Sequence, residues 1–273
     1  MKEFRKAAVA GLFYPSDPQK LSEQINLFLS ISQTEKIFTN ISGIISPHAG
    51  YIYSGKTAAY AYNLLRGKNF KNVIIISPSH REYFPGSCIY SGDGYETPFG
   101  VVEINKAVAE NIISGSKNIF KGKRGHGEEH AIEVQIPFLQ TVLDDFQIVP
   151  IVMGDQSKIF VDELAEQIAK SADSSTVIVA SSDLSHYYSK QKADELDSIV
   201  EKAVEDFEYE KLQDYFDRRI CEACGGGPIV AMMKASSLIK KKKSFVLHRS
   251  DSGDVTRDFN EVVGYLSAVV YGE

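Results

Sequence analysis

The sequence predicts an α/β protein, a single domain with a mainly parallel central sheet flanked by helices. Three observations predict it. Short β-branched runs alternate with helical stretches along the chain, the pattern of βαβ units. The runs are apolar almost without interruption, as strands buried on both faces must be. No low-complexity linker and no fixed-period repeat divides the 273 residues. A length near twice the ~150 residues of a typical domain would allow two small units, but the pattern assigns 1–273 to one.

The buried runs are Ile41 to Ser46, Asn72 to Ser77, Gln147 to Met153, Thr176 to Ser181 and Glu261 to Val270. Between them the 3.6-residue periodicity predicts helices over Lys56 to Arg66, Asn105 to Ser114, Asp162 to Ala172, Asp194 to Asp206 and Ile229 to Lys240. Ser87 to Tyr90 and Val101 to Ile104 flank a Gly/Pro-rich turn region and read as an antiparallel excursion.

Composition sets the class. Hydrophobic residues make up 43% and charged residues 24%, which excludes disorder and collagen-like repeats. A formal net charge of -6 gives no electrostatic case for nucleic acid. The one basic run, Lys240 to Lys243, follows a helical stretch and reads as a solvated helix end. Three cysteines in a chain of this length make no disulfide framework and suit a reducing compartment. The opening MKEFRKAAVAGLFYPSDP has too short an apolar stretch for a signal peptide, and no run reaches the ~20 apolar residues of a membrane span. The expectation is a cytoplasmic protein with no membrane partner.

Chemistry gathers where three strands end. The first ends ISPH, placing His48; the second SPSH, placing His80; the fourth SSDLSH, placing Asp183 and His186. Ligands of parallel α/β sheets bind beyond the carboxyl ends of the strands. Cys224 precedes Gly225-Gly226-Gly227-Pro228 and a helical pattern, so a helix dipole would favour its thiolate. Imidazoles and a thiolate together suit zinc, iron or copper. Two motif matches are discounted. Cys221-Glu222-Ala223-Cys224 lacks the immediate helix of a redox C-x-x-C, and His126-Gly127-Glu128-Glu129-His130 matches the inverted zincin H-x-x-E-H only formally, because its glycines break the helix. With a helix beginning near Glu128, His130 and Glu133 share a face and are candidates to support the site from behind.

The segments AAVAGLFYPSDP, ISPHAGYIYSG, SPSH, TPFG, EEHAIEVQIPFL, SSDLSHY, CGGGPI and SDSGDV followed by VVGYLSAVV resemble the MEMO (mediator of cell motility) family, whose prokaryotic members are called AmmeMemoRadiSam system protein B. The likeness runs in collinear order over essentially the whole chain. It implies a fold similar to the class III extradiol dioxygenases, whose non-haem iron is held by two His and a Glu. Carried over, the His ligands fall on His48 and His80, and the carboxylate position falls on Cys224. The dioxygenases' base falls on His186, with Asp183 beside it. A thiolate in place of a carboxylate alters the softness of the site, so ring cleavage does not follow from the fold.

Three functions stay open on this reading. One is a metal-dependent oxidoreductase with Fe(II) on His48, His80 and Cys224, His186 as acid/base oriented by Asp183, and Tyr51, Tyr53 and Tyr187 lining the pocket. Another is a pocket that has lost catalysis and binds a small molecule, peptide or protein. The third is copper or zinc handling. The family name also implies a radical S-adenosylmethionine protein as partner.

Overall fold

The computed structural model describes residues 2–272. The first half contains β1 (Phe4–Arg5), α1 (Pro18–Ile31), β2 (Ile41–Ser46), α2 (Tyr51–Asn63), β3 (Asn72–Pro78), β4 (Ser87–Tyr90), β5 (Gly94–Thr97), β6 (Gly100–Glu103), α3 (Lys106–Ile113) and β7 (Ile119–Gly122). The second contains α4 (Ile136–Val142), β8 (Gln147–Met153), α5 (Lys158–Ser171), β9 (Thr176–Ser181), β10 (His186–Tyr188), α6 (Lys190–Glu205), α7 (Tyr209–Asp217), α8 (Gly226–Leu238), β11 (Lys243–Asp251), α9 (Gly253–Thr256) and β12 (Val262–Tyr271).

The nine-stranded sheet runs β10-β12-β2-β9-β3-β8-β4-β7, with β11 also on β12. Its centre, β2-β9-β3-β8, is parallel. Successive residues of β3 feed two separate cores: Val73 and Ile75 pack with α1, α2 and α4, while Ile74 and Ile76 pack with α3, α5 and α8. That alternation is the period of two of a strand buried on both sides. No helix among the described residues is long and apolar enough to cross a membrane.

Two expectations change. The sheet is mixed rather than mainly parallel outside its centre, because β12 lies antiparallel to β2, β10 and β11. The connection from β11 to β12 is too short for a crossover, and short connections join antiparallel neighbours. The expected excursion from Ser87 to Ile104 is divided. β4 joins the main sheet beside β8 and β7, whereas β6 pairs with β5 in a separate three-stranded sheet with β1. Helix α1 was not expected, although its signals are plain: Asp17 caps the Lys20 N–H, Pro18 opens the first turn, and Leu21, Ile25 and Leu29 are buried at a spacing of four.

The N-terminal segment is clamped to the body by one buried ion pair. Glu133, fully buried, accepts from Arg5 Nη1 at 2.7 Å, the N–H groups of Ala8 and Val9 at 2.7 and 3.0 Å, and the Tyr14 hydroxyl at 2.6 Å. Removing one partner of such a pair strands a charge. Arg5→Met is therefore expected to cost about 3–5 kcal/mol of stability in denaturant unfolding.

His126 is buried too, between the Tyr95 hydroxyl and the Cys88 carbonyl. Burial, with the Cys88 carbonyl opposing it, pushes the imidazole from 6.5 down to about 4. The unfolded chain binds that proton at the higher pH, so this contribution to stability is complete above pH 6.5 and is lost as the pH falls toward about 4. Thermal unfolding should shift to lower temperature over that window, and His126→Gln should flatten the slope.

Candidate metal centre

The parallel strands deliver their side chains to one edge. Pro47 and His48 follow β2, Ser79 and His80 follow β3, and Ser182 and Asp183 follow β9. His48 is 2% exposed, and its backbone N–H donates to Asp183 Oδ1 at 2.7 Å. Its Nδ1 lies 2.9 Å from Ser181 Oγ. The Ser181 hydroxyl donates to the Ala131 carbonyl at 2.7 Å and accepts from Gln135 Nε2 at 2.8 Å, so it can only accept from His48. The proton of His48 is thereby assigned to Nδ1, and Nε2 is left bare, 3.1 Å from Cys224 Sγ.

His80 is fixed by the same logic. Its Nδ1 lies 2.9 Å from Glu129 Oε1, and its backbone N–H donates to Glu129 Oε2 at 2.6 Å. Burial alone would raise the Glu129 carboxyl, but hydrogen bonds and charge from His80, with the Ala131 N–H, bring it to about 2. A carboxylate is acceptor only, so His80 donates from Nδ1 and offers Nε2 to the cluster. His48, His80 and Cys224 each bring a donor atom within 4.8 Å of the others. The residues expected to ligate are brought together.

The surroundings differ from expectation in five ways. His130 is in the cluster rather than behind it: its ring stacks on His80 at 4.8 Å and meets the edge of His48 at 5.4 Å. Glu133 does not support the site, since its oxygens are spent on the N-terminal segment. Helical structure begins only at the 3-10 turn Glu133–Gln135, so 126–130 is an irregular loop that turns Glu129 inward. Asp183 makes no hydrogen bond to His186 among the described residues; it holds the His48 backbone, and the Leu184 carbonyl takes His186 Nδ1–H at 2.8 Å. Tyr51 is a core residue bonded to the Val134 carbonyl, while Tyr53 and Tyr187 are exposed.

Sequence reasoning passed over Glu129 and Phe13. Glu129 stood inside the discounted zincin match, next to His130. Phe13, whose ring lies 4.8 Å from His130, reaches the site from the N-terminal turn, and nothing local in the sequence signals that contact. His186 is presented by a strained neighbour: Tyr187 has φ +63°, a left-handed conformation that non-glycine residues avoid.

The charge state is not the one the helix dipole suggested. Burial, reinforced by the Asp183 carboxylate, pushes the Cys224 thiol well above its ordinary value. Burial and the neighbouring His80 hold His48 down to about 3, and burial with His48 holds His130 to about 4. Desolvation likewise raises Asp183. At neutral pH the protein alone therefore keeps a thiol beside the neutral imidazoles of His48 and His130.

The chain matches the family model described as Memo-like protein over residues 5–269. It is 39% identical over 266 residues to a MEMO1 family protein of Thermoplasma volcanium, covering 97% of both chains. It is 37% identical over 281 residues to a MEMO1 family protein of Thermotoga maritima, covering 98% of this chain and 99% of that one. Its fold is shared with an uncharacterized protein of Escherichia coli K12, with a TM-score of 0.58 at 13% identity, over 84% of this chain and 99% of that one.

Labelling kinetics check the assigned charge state. In metal-free protein near neutral pH, Cys224 is expected to react with iodoacetamide at least roughly tenfold more slowly than a free cysteine derivative, because the thiolate is the nucleophile. A rate equal to that of the free thiol would contradict it.

Proposed function

The chain belongs to the Memo-like family, and from that premise and the strand-end geometry we propose that it is a metal-dependent oxidoreductase holding one iron on His48, His80 and Cys224. One observation carries the reading. Both imidazoles are anchored through Nδ1, to Ser181 and Glu129, so that bare Nε2 atoms converge with a sulfur. Donating the far N–H to a carboxylate or hydroxyl is how metal-binding histidines are held. Nothing in an apolar core would require two such anchors.

The donor set of two nitrogens and a sulfur fits iron, copper or zinc. When bound, iron would supply Lewis acidity and one-electron redox chemistry. The chain's own residues supply the rest. Cys224 releases its proton on ligation, which offsets a site otherwise poor in charge. Glu129 keeps the His80 ring in register. His186, with Nδ1 committed to the Leu184 carbonyl, has Nε2 free to take a proton from a bound hydroxyl. Phe13 packs against His130 with ring centroids 4.8 Å apart and closes that side of the cluster.

Elemental analysis of protein purified without oxygen tests the proposal. Iron near one per chain is expected, lost in His48→Ala and Cys224→Ala. Glu129→Gln should weaken metal binding by about 10–100-fold, whereas Glu133→Gln should lower stability and leave affinity unchanged. Zinc or copper in place of iron would overturn the assignment of the metal, and retention of metal by both ligand variants would overturn the site.

A further inference from the structure

His48 and Asp183 meet because β2 and β9 run parallel with Ser46 opposite Ser181, and each chain continues two residues further. The two oxygens of Asp183 are used differently. Oδ1 accepts the His48 backbone N–H at 2.7 Å. Oδ2 lies 4.0 Å from His48 Nε2, the bare nitrogen of the metal centre, and takes no hydrogen bond among the described residues. Asp183 is 4% exposed, and a buried carboxylate oxygen left unpaired is costly.

The neighbouring side chains do not supply the missing donor. His48 carries its proton on Nδ1, toward Ser181, and has nothing to give from Nε2. His186 directs its Nδ1–H to the Leu184 carbonyl. Cys224 Sγ stands 3.1 Å from His48 Nε2, accepts the Asp183 N–H at 3.2 Å, and gives up its own proton on ligation. The cavity of about 850 Å³ behind the Cys224 loop, with Cys221 on its wall, does not reach Asp183.

We infer, resting on the metal centre proposed above, that Asp183 Oδ2 determines specificity there: it favours neutral molecules that bring a proton and turns away small anions. Three protein ligands leave a metal at least one further position. A molecule bound beside Nε2 comes within reach of an oxygen 4.0 Å from that nitrogen. A hydroxyl on that molecule completes Oδ2. The cation itself favours the charged form of the facing carboxylate. An anion brings no proton and meets a like charge where little water screens it.

Azide titration of the cobalt(II)-loaded full chain, followed through the visible cobalt bands, tests the inference. Asp183→Asn keeps an oxygen for the His48 N–H, which fixes the amide so that Nδ2 replaces Oδ2. Azide is expected to bind that variant roughly tenfold or more tightly than the parent, with imidazole, an uncharged ligand, changed by less than about threefold. Asp183→Ser also offers the His48 N–H an oxygen, and repeats the comparison without the charge. A parent that shows no thiolate-to-cobalt band overturns the metal centre and this inference with it. A parent that holds cobalt on Cys224, with azide affinity unchanged in the variants, overturns this inference alone. An equal gain for imidazole would mean only that the site had opened, and would overturn it too. Loss of cobalt from both variants would make Asp183 a builder of the site rather than a selector of its ligand, with the same result.

Discussion

The Arg5 guanidinium organises more of this molecule than its place near the chain start suggests. It is 6% exposed, and it donates to the His126 carbonyl, the Glu129 carbonyl and the Glu133 carboxylate. These bonds fix an irregular loop that has no ladder or helix of its own to satisfy its backbone. With the loop fixed, Glu129 faces His80, and Ala131 and Gln135 face Ser181, which sets the proton on His48. A buried ion pair is weak evidence for stability on its own. The geometry is carried by the carbonyl bonds beside that pair: they fix the loop whose Glu129 reaches His80 at the carboxyl edge of the sheet.

The electrostatics of the cluster follow from burial. Imidazoles at about 3 and 4 and a thiol pushed up by desolvation are groups that have all given up charge to be inside. Glu129 is the exception. It stays ionised at about 2 because His80 and backbone N–H groups satisfy it. Glu129 is thus an anion beside the neutral imidazoles of His48 and His130, an electrostatic environment that a cation would complete.

The parallel centre was legible because strands buried on both faces cannot hide. β2, β8 and β9 span the residues that apolar continuity marked. Histidines at strand ends were legible for the same reason, since strand direction fixes which edge they reach. What could not be read was everything set by long-range pairing. Glu129 and Glu133 are four residues apart, chemically alike, and buried alike, yet one holds the His80 ring and the other holds the N-terminal segment. The difference is made by Arg5, more than 120 residues earlier in the chain. The orientation of β12 was hidden too, because apolarity marks burial and says nothing of direction.

The segment from Cys221 to Gly227 shows why a formal C-x-x-C is neither a redox pair nor a metal clip here. The two sulfurs serve opposite sides of a partition: Cys221 lines the cavity behind the loop, and Cys224 points to His48. The glycines that follow are demanded by packing. A Cβ on Gly225 would stand 2.3 Å from the Ser181 carbonyl oxygen, and one on Gly226 would stand 2.8 Å from the Phe216 ring. The first contact is with β9 backbone, which cannot yield as a flexible side chain would. The close approach of Gly225 to the end of β9 is therefore what brings Cys224 level with Asp183, where the Cys224 N–H donates to the Asp183 carbonyl at 3.2 Å. The glycine run positions the thiol by pressing the chain against the strand, so the same residues that close the cavity on one side aim the sulfur at the imidazoles on the other.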